Sequence, residues 1–367
     1  MDGRMCYSLC FFFLNTRYAI LKFKNEQLRT NKNEQKTMKY IGFSLICFLC
    51  WISSVWGQAS PRKYLNLNEG WKSTADTLSS RYSGFHQGDF DDSSWENVSV
   101  PHNWDQYAGY RRLLHGNRHG TAWYRRTFSL ASKESLKKYF LVFEGVGSYA
   151  HVWLNGKKVG YHAGGRTTFT LDVTEAISKG ENTLAVRADH PAEIRDLPWV
   201  DGGDSPERGF SEGSQPMGIF RPVHLVTTNN LRIQPFGVHI WNNDQVSESS
   251  ATLNIETDLQ NYSRQQKDIN VVQHLIDKTG KIVAGDTLKY KVLAGQERIV
   301  RQELKNIQNI HLWSVEDPYL YVLETRIEQN GVLVDQLRTN YGIRWISWPI
   351  GENPKDPKRF LLNGKPV

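Results

Sequence analysis

Residues 143–189, FEGVGSYAHVWLNGKKVGYHAGGRTTFTLDVTEAISKGENTLAVRAD, constrain the fold more than any other stretch of the chain. Asn155-Gly156 supplies the two positive φ values that a two-residue type I′ turn requires, and alternating residues flank it. Counting outward places Leu154 opposite Lys157, Val152 opposite Val159 and Ala150 opposite Tyr161, so one mostly apolar face is expected to be buried. His151, Trp153 and Lys158 share the other face, which is expected to meet a second sheet or a neighbouring domain. A third strand over residues 183–187 follows the Lys179-Gly180 turn, which makes the stretch antiparallel sheet packed on one side.

Enough apolar material accompanies this motif for two compact domains. Of 367 residues, 39% are hydrophobic and 12 are Trp, which excludes a disordered chain. The formal charge of +7 invites a nucleic-acid partner, but residues 1–57 hold eight of the 45 Lys/Arg and three of the 38 Asp/Glu. The remainder carries 37 basic and 35 acidic residues, so no basic surface argument for nucleic acid survives. Cys6, Cys10, Cys47 and Cys50 also lie in that leader, so the body has no disulfides, thiolate metal site or Cys nucleophile.

Met38-Lys39-Tyr40 opens a short positive region, and residues 41–56 form an almost unbroken apolar run ending at Gly57. That is the grammar of a signal peptide over 38–57, and the run is shorter than the ~20 residues of a membrane span. A secreted or periplasmic protein with no membrane attachment after cleavage is expected, with residues 1–37 a mis-called upstream extension.

Short apolar-aromatic segments separated by Asp, Ser, Gly and Pro turns fill residues 58–228, the spacing of an all-β sandwich. From 229 to 343 longer alternating strands follow, with turns at Thr279-Gly280 and Asn330-Gly331. About seven strands there fit an immunoglobulin-like sandwich without the Cys pair of antibody domains. His115 and His119 lie four apart beside Gly116 and Gly120, against a helical metal site, and Gly164-Gly165 is a turn without phosphate-loop context. Glycosylation sequons stand at Asn97 and Asn261.

VPHNWD (100–105), AWYRRTF (122–128) and GIFRPVHL (218–225), in that order with the 143–189 stretch, resemble the N-terminal sugar-binding domain of family 2 glycoside hydrolases. This is the group of β-galactosidases, β-glucuronidases and β-mannosidases. LWSVEDPYLYVLET (312–325) and YGIRW (341–345) look like that family's second domain. The resemblance implies an all-β chain: a jelly-roll sandwich over 58–228, an immunoglobulin-like sandwich over 229–343, and a linker with an incomplete hairpin over 344–367 that leads to a (β/α)8 barrel. RFLLNGKPV (359–367) is similar to the family's entry hairpin, with its returning strand expected to be unformed, and a barrel of ~250 residues has no room after it.

Retaining glycosidases use two carboxylates ~5 to 5.5 Å apart. By the resemblance both glutamates belong to the barrel, so no catalytic residue is expected in this chain, nor any cofactor or metal. Asp91/Asp92 and Glu316/Asp317 read as solvated turns. What the first domain is expected to add is a wall of the sugar pocket. The long irregular segment between Asp189 and Gly218 contains Trp199, suited to stack on a sugar ring, and Asp204. Gapless counting back from GIFR sets Asp204 at the position of an Asp that, by the resemblance, reaches substrate hydroxyls in some β-galactosidases of the family; in Gly-Gly-Asp-Ser-Pro it reads alternatively as a turn cap. A second loop over 105–120, with Tyr110, Asn117 and His119, reads as solvated surface or as a further rim. The implied function is the non-catalytic portion of a secreted β-galactosidase-like hydrolase acting on terminal glycosides, with carbohydrate as partner and a homo-oligomer possible. A stand-alone carbohydrate-binding protein of two sandwiches is the alternative.

Overall fold

The computed structural model describes residues 61–76, 84–104, 120–191, 216–242, 246–247, 249–347 and 360–366. Among them the regular structure is entirely β: no α-helix occurs. Residues 1–57, the expected upstream extension and signal peptide, lie outside the described residues.

The first sandwich is built from β1 (Lys63–Asn66), β2 (Trp71–Asp76), β3 (Glu96–Val98), β4 (Gly120–Leu130), β5 (Lys137–Phe143), β6 (Tyr149–Leu154), β7 (Lys157–Ala163), β8 (Phe169–Asp172), β9 (Gly180–His190) and β10 (Val223–Asn229). They form an antiparallel six-stranded sheet in the order β3-β2-β4-β9-β6-β7 and a four-stranded sheet in the order β1-β10-β5-β8. Between them Leu67, Trp71, Tyr124, Phe143, Leu154, Leu184 and Leu225 fill one continuous core. The Trp71 indole, 1% exposed, donates to the Leu67 carbonyl at 2.6 Å, which satisfies its one polar atom within the apolar layer.

The Asn155-Gly156 turn forms as the sequence indicates, with φ of 53° and 77°. Its Asn does more than turn the chain: the Asn155 amide donates to Asn182 Oδ1 at 2.9 Å and its carbonyl oxygen accepts from Thr183 N at 2.9 Å, docking the hairpin on the start of β9. The expected register holds only next to the turn. Val159 is an extra residue, so Val152 faces Gly160, and His151, not Ala150, faces Tyr161. A β-bulge of this kind re-aims the strand after it. Gly160 sits close against the Leu171 side chain there, and a Cβ would require Leu171 to move.

The outer face of the six-stranded sheet is also covered, by residues 84–95. Trp123 stacks on Trp153 at 5.3 Å and meets Phe85 edge-on at 5.6 Å, while His86 stacks on Trp153 at 5.4 Å. Trp153 thus packs within its own sandwich. Arg125, one residue past the Tyr124 that faces the core, is held on this face by Asp92 at 2.8 Å and by the Phe85 and Gln87 carbonyls at 2.6 and 2.8 Å. Asp92 is therefore no solvated turn carboxylate. Desolvation opposes its charge, but hydrogen bonds from Lys72 and Arg125 outweigh it and hold the pKa below the usual carboxylate range.

The second sandwich comprises β11 (Leu231–Asn242), β12 (Ser250–Asn261), β13 (Lys267–Ile276), β14 (Ile282–Val292), β15 (Glu297–Gln308), β16 (Tyr321–Gln329) and β17 (Val332–Tyr341). Sheets β11-β12-β15 and β14-β13-β16-β17 face each other. In β12 every second residue from Ala251 to Asn261 is buried, the period-two signature in full. Asn261 is among them: its amide donates to the Gln265 and Leu293 carbonyls at 2.8 and 3.0 Å, so this sequon is occupied by the fold, whereas Asn97 is exposed.

At the far end β18 (Ile346–Ser347), β19 (Leu361–Leu362) and β20 (Lys365–Pro366) make a three-stranded antiparallel sheet around Asn363-Gly364. The returning strand expected to be missing is present. Asn363 anchors it, donating to the Trp313 carbonyl at 2.9 Å and accepting from Trp345 N at 3.1 Å.

Candidate functional site

Four points on the first sandwich root the two segments that the sequence singles out. β4 starts at Gly120, whose partner in the sheet is His190, the last residue of β9. One segment thus ends, and the other begins, on paired residues. Their remaining ends are paired too: Trp104 N donates to the Met217 carbonyl at 2.9 Å, Met217 N to Asn103 Oδ1 at 2.9 Å, and His102 N to the Ile219 carbonyl at 2.7 Å. The described ends of both segments therefore lie together at one end of the first sandwich.

Polar side chains lock that edge. Trp104 Nε1 donates to Ser73 Oγ at 2.8 Å, and Ser73 Oγ donates to the Trp123 carbonyl at 3.0 Å. His102 Nδ1 lies 2.8 Å from the Tyr124 hydroxyl. Burial pushes the Tyr124 phenol well above its usual range and pushes the His102 imidazole down, so both are neutral at physiological pH. Ser148 Oγ lies 2.9 Å from His190 Nδ1, and Ser148 N donates to the Asp189 carbonyl at 3.0 Å. Gly147 and Gly218 form an isolated bridge that ties this turn to the incoming chain. Side chains are excluded at both: a Cβ on Gly147 would lie 2.0 Å from the Pro216 carbonyl oxygen, and one on Gly218 would lie 2.1 Å from the Tyr124 hydroxyl.

Asp189 is a carboxylate at this edge, and it is committed: Thr121 Oγ1 donates to it at 2.8 Å and Arg187 Nε at 2.9 Å, with His151 Nε2 at 3.5 Å. Desolvation, then repulsion from Arg187, hold His151 below its usual pKa, although Asp189 pulls the other way. Such an edge positions loops. Among the described residues no group of three or more His, Cys, Asp and Glu could hold a metal.

Asp204 and Trp199 lie outside the described residues, as do Tyr110, Asn117, His115 and His119. What the structure brings together is their foundation. VPHNWD and GIFR carry that foundation, but the sequence alone could not show that Asn103 pairs with Met217 or that Gly218 makes room for Tyr124. Those contacts join residues more than ninety positions apart.

Residues 53–229 match the family "Glycosyl hydrolases family 2, sugar binding domain", and residues 237–344 match "Glycosyl hydrolases family 2". The chain is 30% identical over 330 residues to a β-glucuronidase of Formosa agariphila, covering 84% of this chain and 32% of that protein. A β-galactosidase of Bacteroides ovatus is 29% identical over 324 residues, covering 83% and 34%. The crystal structure of a Bacteroides uniformis β-glucuronidase superposes with a TM-score of 0.69 at 27% identity, covering 83% of this chain and 34% of that one. The chain spans about a third of the length of the relatives it matches.

Proposed function

The chain belongs to family 2 of the glycosyl hydrolases, and from that premise we propose that it forms the N-terminal, non-catalytic portion of a secreted hydrolase of terminal β-glycosides, β-galactosidase-like in its sugar. The observation that carries the proposal is the common root of the two loops: Gly120 beside His190, and Trp104 beside Met217. A rigid edge of this kind holds two long segments where they can wall a pocket built by another part of the enzyme. Asp204 accepts hydrogen bonds from vicinal sugar hydroxyls and Trp199 covers the apolar face of the ring. The second sandwich is the spacer. Relatives named for both β-glucuronides and β-galactosides support a terminal β-glycoside as the substrate class.

Two measurements test this. The purified chain should release no 4-nitrophenol from the β-galactoside or the β-glucuronide, and turnover above buffer would overturn the non-catalytic assignment. Saturation-transfer NMR with methyl β-galactoside should show contact that Asp204→Ala and Trp199→Ala each reduce; contact unchanged in both variants would remove the pocket-wall role. Secretion is checked by N-terminal sequencing of exported protein, which should begin at Gln58.

A further inference from the structure

The outer face of the four-stranded sheet meets the second sandwich around one buried ion pair. Arg62, just ahead of β1, donates to both oxygens of Asp335 on β17, at 3.0 and 2.6 Å, and to the Ile233 carbonyl at 2.7 Å. Asp335 is saturated further by Ile233 N at 2.7 Å. Arg232 lies in the same junction, 2% exposed, its guanidinium 3.8 Å above the Phe140 ring. Its Nε donates to the Ile233 carbonyl at 3.2 Å, while its Nη1 is buried without a hydrogen-bond partner. Two buried guanidinium groups thus lie at one junction, and the Asp335 carboxylate is bound to Arg62. An uncompensated buried cation is costly, and burial together with the Arg62 charge pushes Arg232 down to about 10.

Beside this cation opens a cavity of about 380 Å³, lined by Arg232, Tyr64, His224, Glu144 and Phe236 among others. The volume is in the range of small-molecule sites, ~300 to 1,000 Å³. Its mouth is built deliberately. β11 breaks register between Ile233 and Val238, and within the break Phe236 takes a φ of 56° with 80% of its surface exposed. Left-handed backbone at a bulky residue and a bare phenyl ring each cost free energy, and bulges commonly re-aim a side chain at a site. Tyr64, 61% exposed, supplies a second ring. His224 Nε2 lies 3.1 Å from Glu144 Oε1 at one side of the cavity, and on the other Arg232 keeps a buried guanidinium nitrogen without a hydrogen-bond partner.

We propose that the junction between the two sandwiches is a binding site for a small carboxylate carried on a six-membered ring, the carboxylate compensating Arg232 and the ring lying against Phe236. A guanidinium is the natural partner of a carboxylate, and an aromatic face serves a sugar ring or an aryl ring equally. The site is separate from the edge that roots the two loops and does not depend on the pocket-wall reading.

The test is calorimetric titration of the full chain with sodium D-glucuronate and sodium benzoate, with D-glucose as the uncharged counterpart. At least one carboxylate should bind saturably, at least tenfold more tightly than glucose, and the tighter of the two identifies the sugar acid or the aryl acid as the source. Phe236→Ala, which leaves the buried ion pair untouched, should weaken it at least fivefold. Arg232→Met should abolish it, with a melting curve showing that this variant folds. Asp204→Ala and Trp199→Ala should leave it unchanged, so that failure here and failure of the pocket-wall role are distinguishable. No saturable binding of either carboxylate, glucose binding as tightly, or affinity indifferent to Phe236→Ala would each overturn the proposal.

Discussion

The two sandwiches solve the same packing problem with different interiors. The first encloses one unbroken core rich in large rings, and its six-stranded sheet carries a second aromatic layer outside, so Trp123 and Arg125 are buried on the face away from that core. The second divides its core. Ile255, Leu275, Leu304 and Leu323 belong to one apolar cluster and Leu259, Val271, Val300 and Ile327 to another. On each of the four strands the residue between them is polar: Thr257, Gln273, Gln302 and Thr325. These four interlock, with Gln273 Nε2 donating to Thr257 and Gln302 at 3.0 and 3.1 Å and Thr325 Oγ1 donating to Gln273 at 2.7 Å. A polar layer of this kind penalises any slip of register, because a one-residue shift would leave every member unpaired. The first domain relies on bulk and close approach; the second relies on register.

The comparison is broken most severely at the first core. Trp71→Ala should cost about 3 to 5 kcal/mol in urea unfolding, and hydrogen exchange should accelerate in β2, β4 and β9 before β12 and β13; equal acceleration in both sandwiches would show that they unfold as one unit. Next comes the loop root. Gly218, at φ 135° and with Tyr124 fully buried beneath it, should lose about 3 kcal/mol on change to Ala. Gly156→Ala, with open space around its Cβ, should lose only about 1 kcal/mol. Similar losses at both glycines would mean that the close approach at Gly218 does not govern the edge.

Within the second sandwich, Gln273→Leu strands three buried partners and should cost about 1 to 3 kcal/mol. Replacing Thr257, Gln273, Gln302 and Thr325 together with apolar residues of like volume should recover most of that loss while broadening the amide NMR spectrum. A quadruple variant as unstable as the single one would remove the register argument.

Acidification separates the domains more gently. Burial holds the folded-state pKa of His102, His151 and His162, all in the first sandwich, below the ordinary value near 6.5. The folded form therefore binds fewer protons than the unfolded chain. No penalty exists above about pH 6.5; it grows as pH falls through the window down to the lowered values and then levels off. Between pH 7.5 and 5.5 the protection factors of the first sandwich, taken against the intrinsic exchange rate at each pH, should fall, less so in His102→Gln, and unchanged protection there would refute the assignment. The smallest effect belongs to Arg301, whose side chain is 74% exposed in its pair with Glu256: Arg301→Ala should shift stability by less than about 0.5 kcal/mol.

Local pattern was enough to determine that the described residues form two all-β sandwiches, the second of immunoglobulin-like spacing, and that Asn155, Asn330 and Asn363 stand in turns, while the jelly-roll reading of the first came from the family resemblance. Turn chemistry and period-two alternation act over a few residues, so a sequence displays them directly. Tertiary structure alone decided the rest. The Val159 bulge, the burial of Arg125 under residues 84–95, the pairing of Trp104 with Met217 and the buried guanidinium at Arg232 each arise from segments far apart in the chain. Charge and size can be read at each position, but whether a charge finds its partner or a glycine meets a phenol depends on which strands become neighbours, and only the folded chain specifies that.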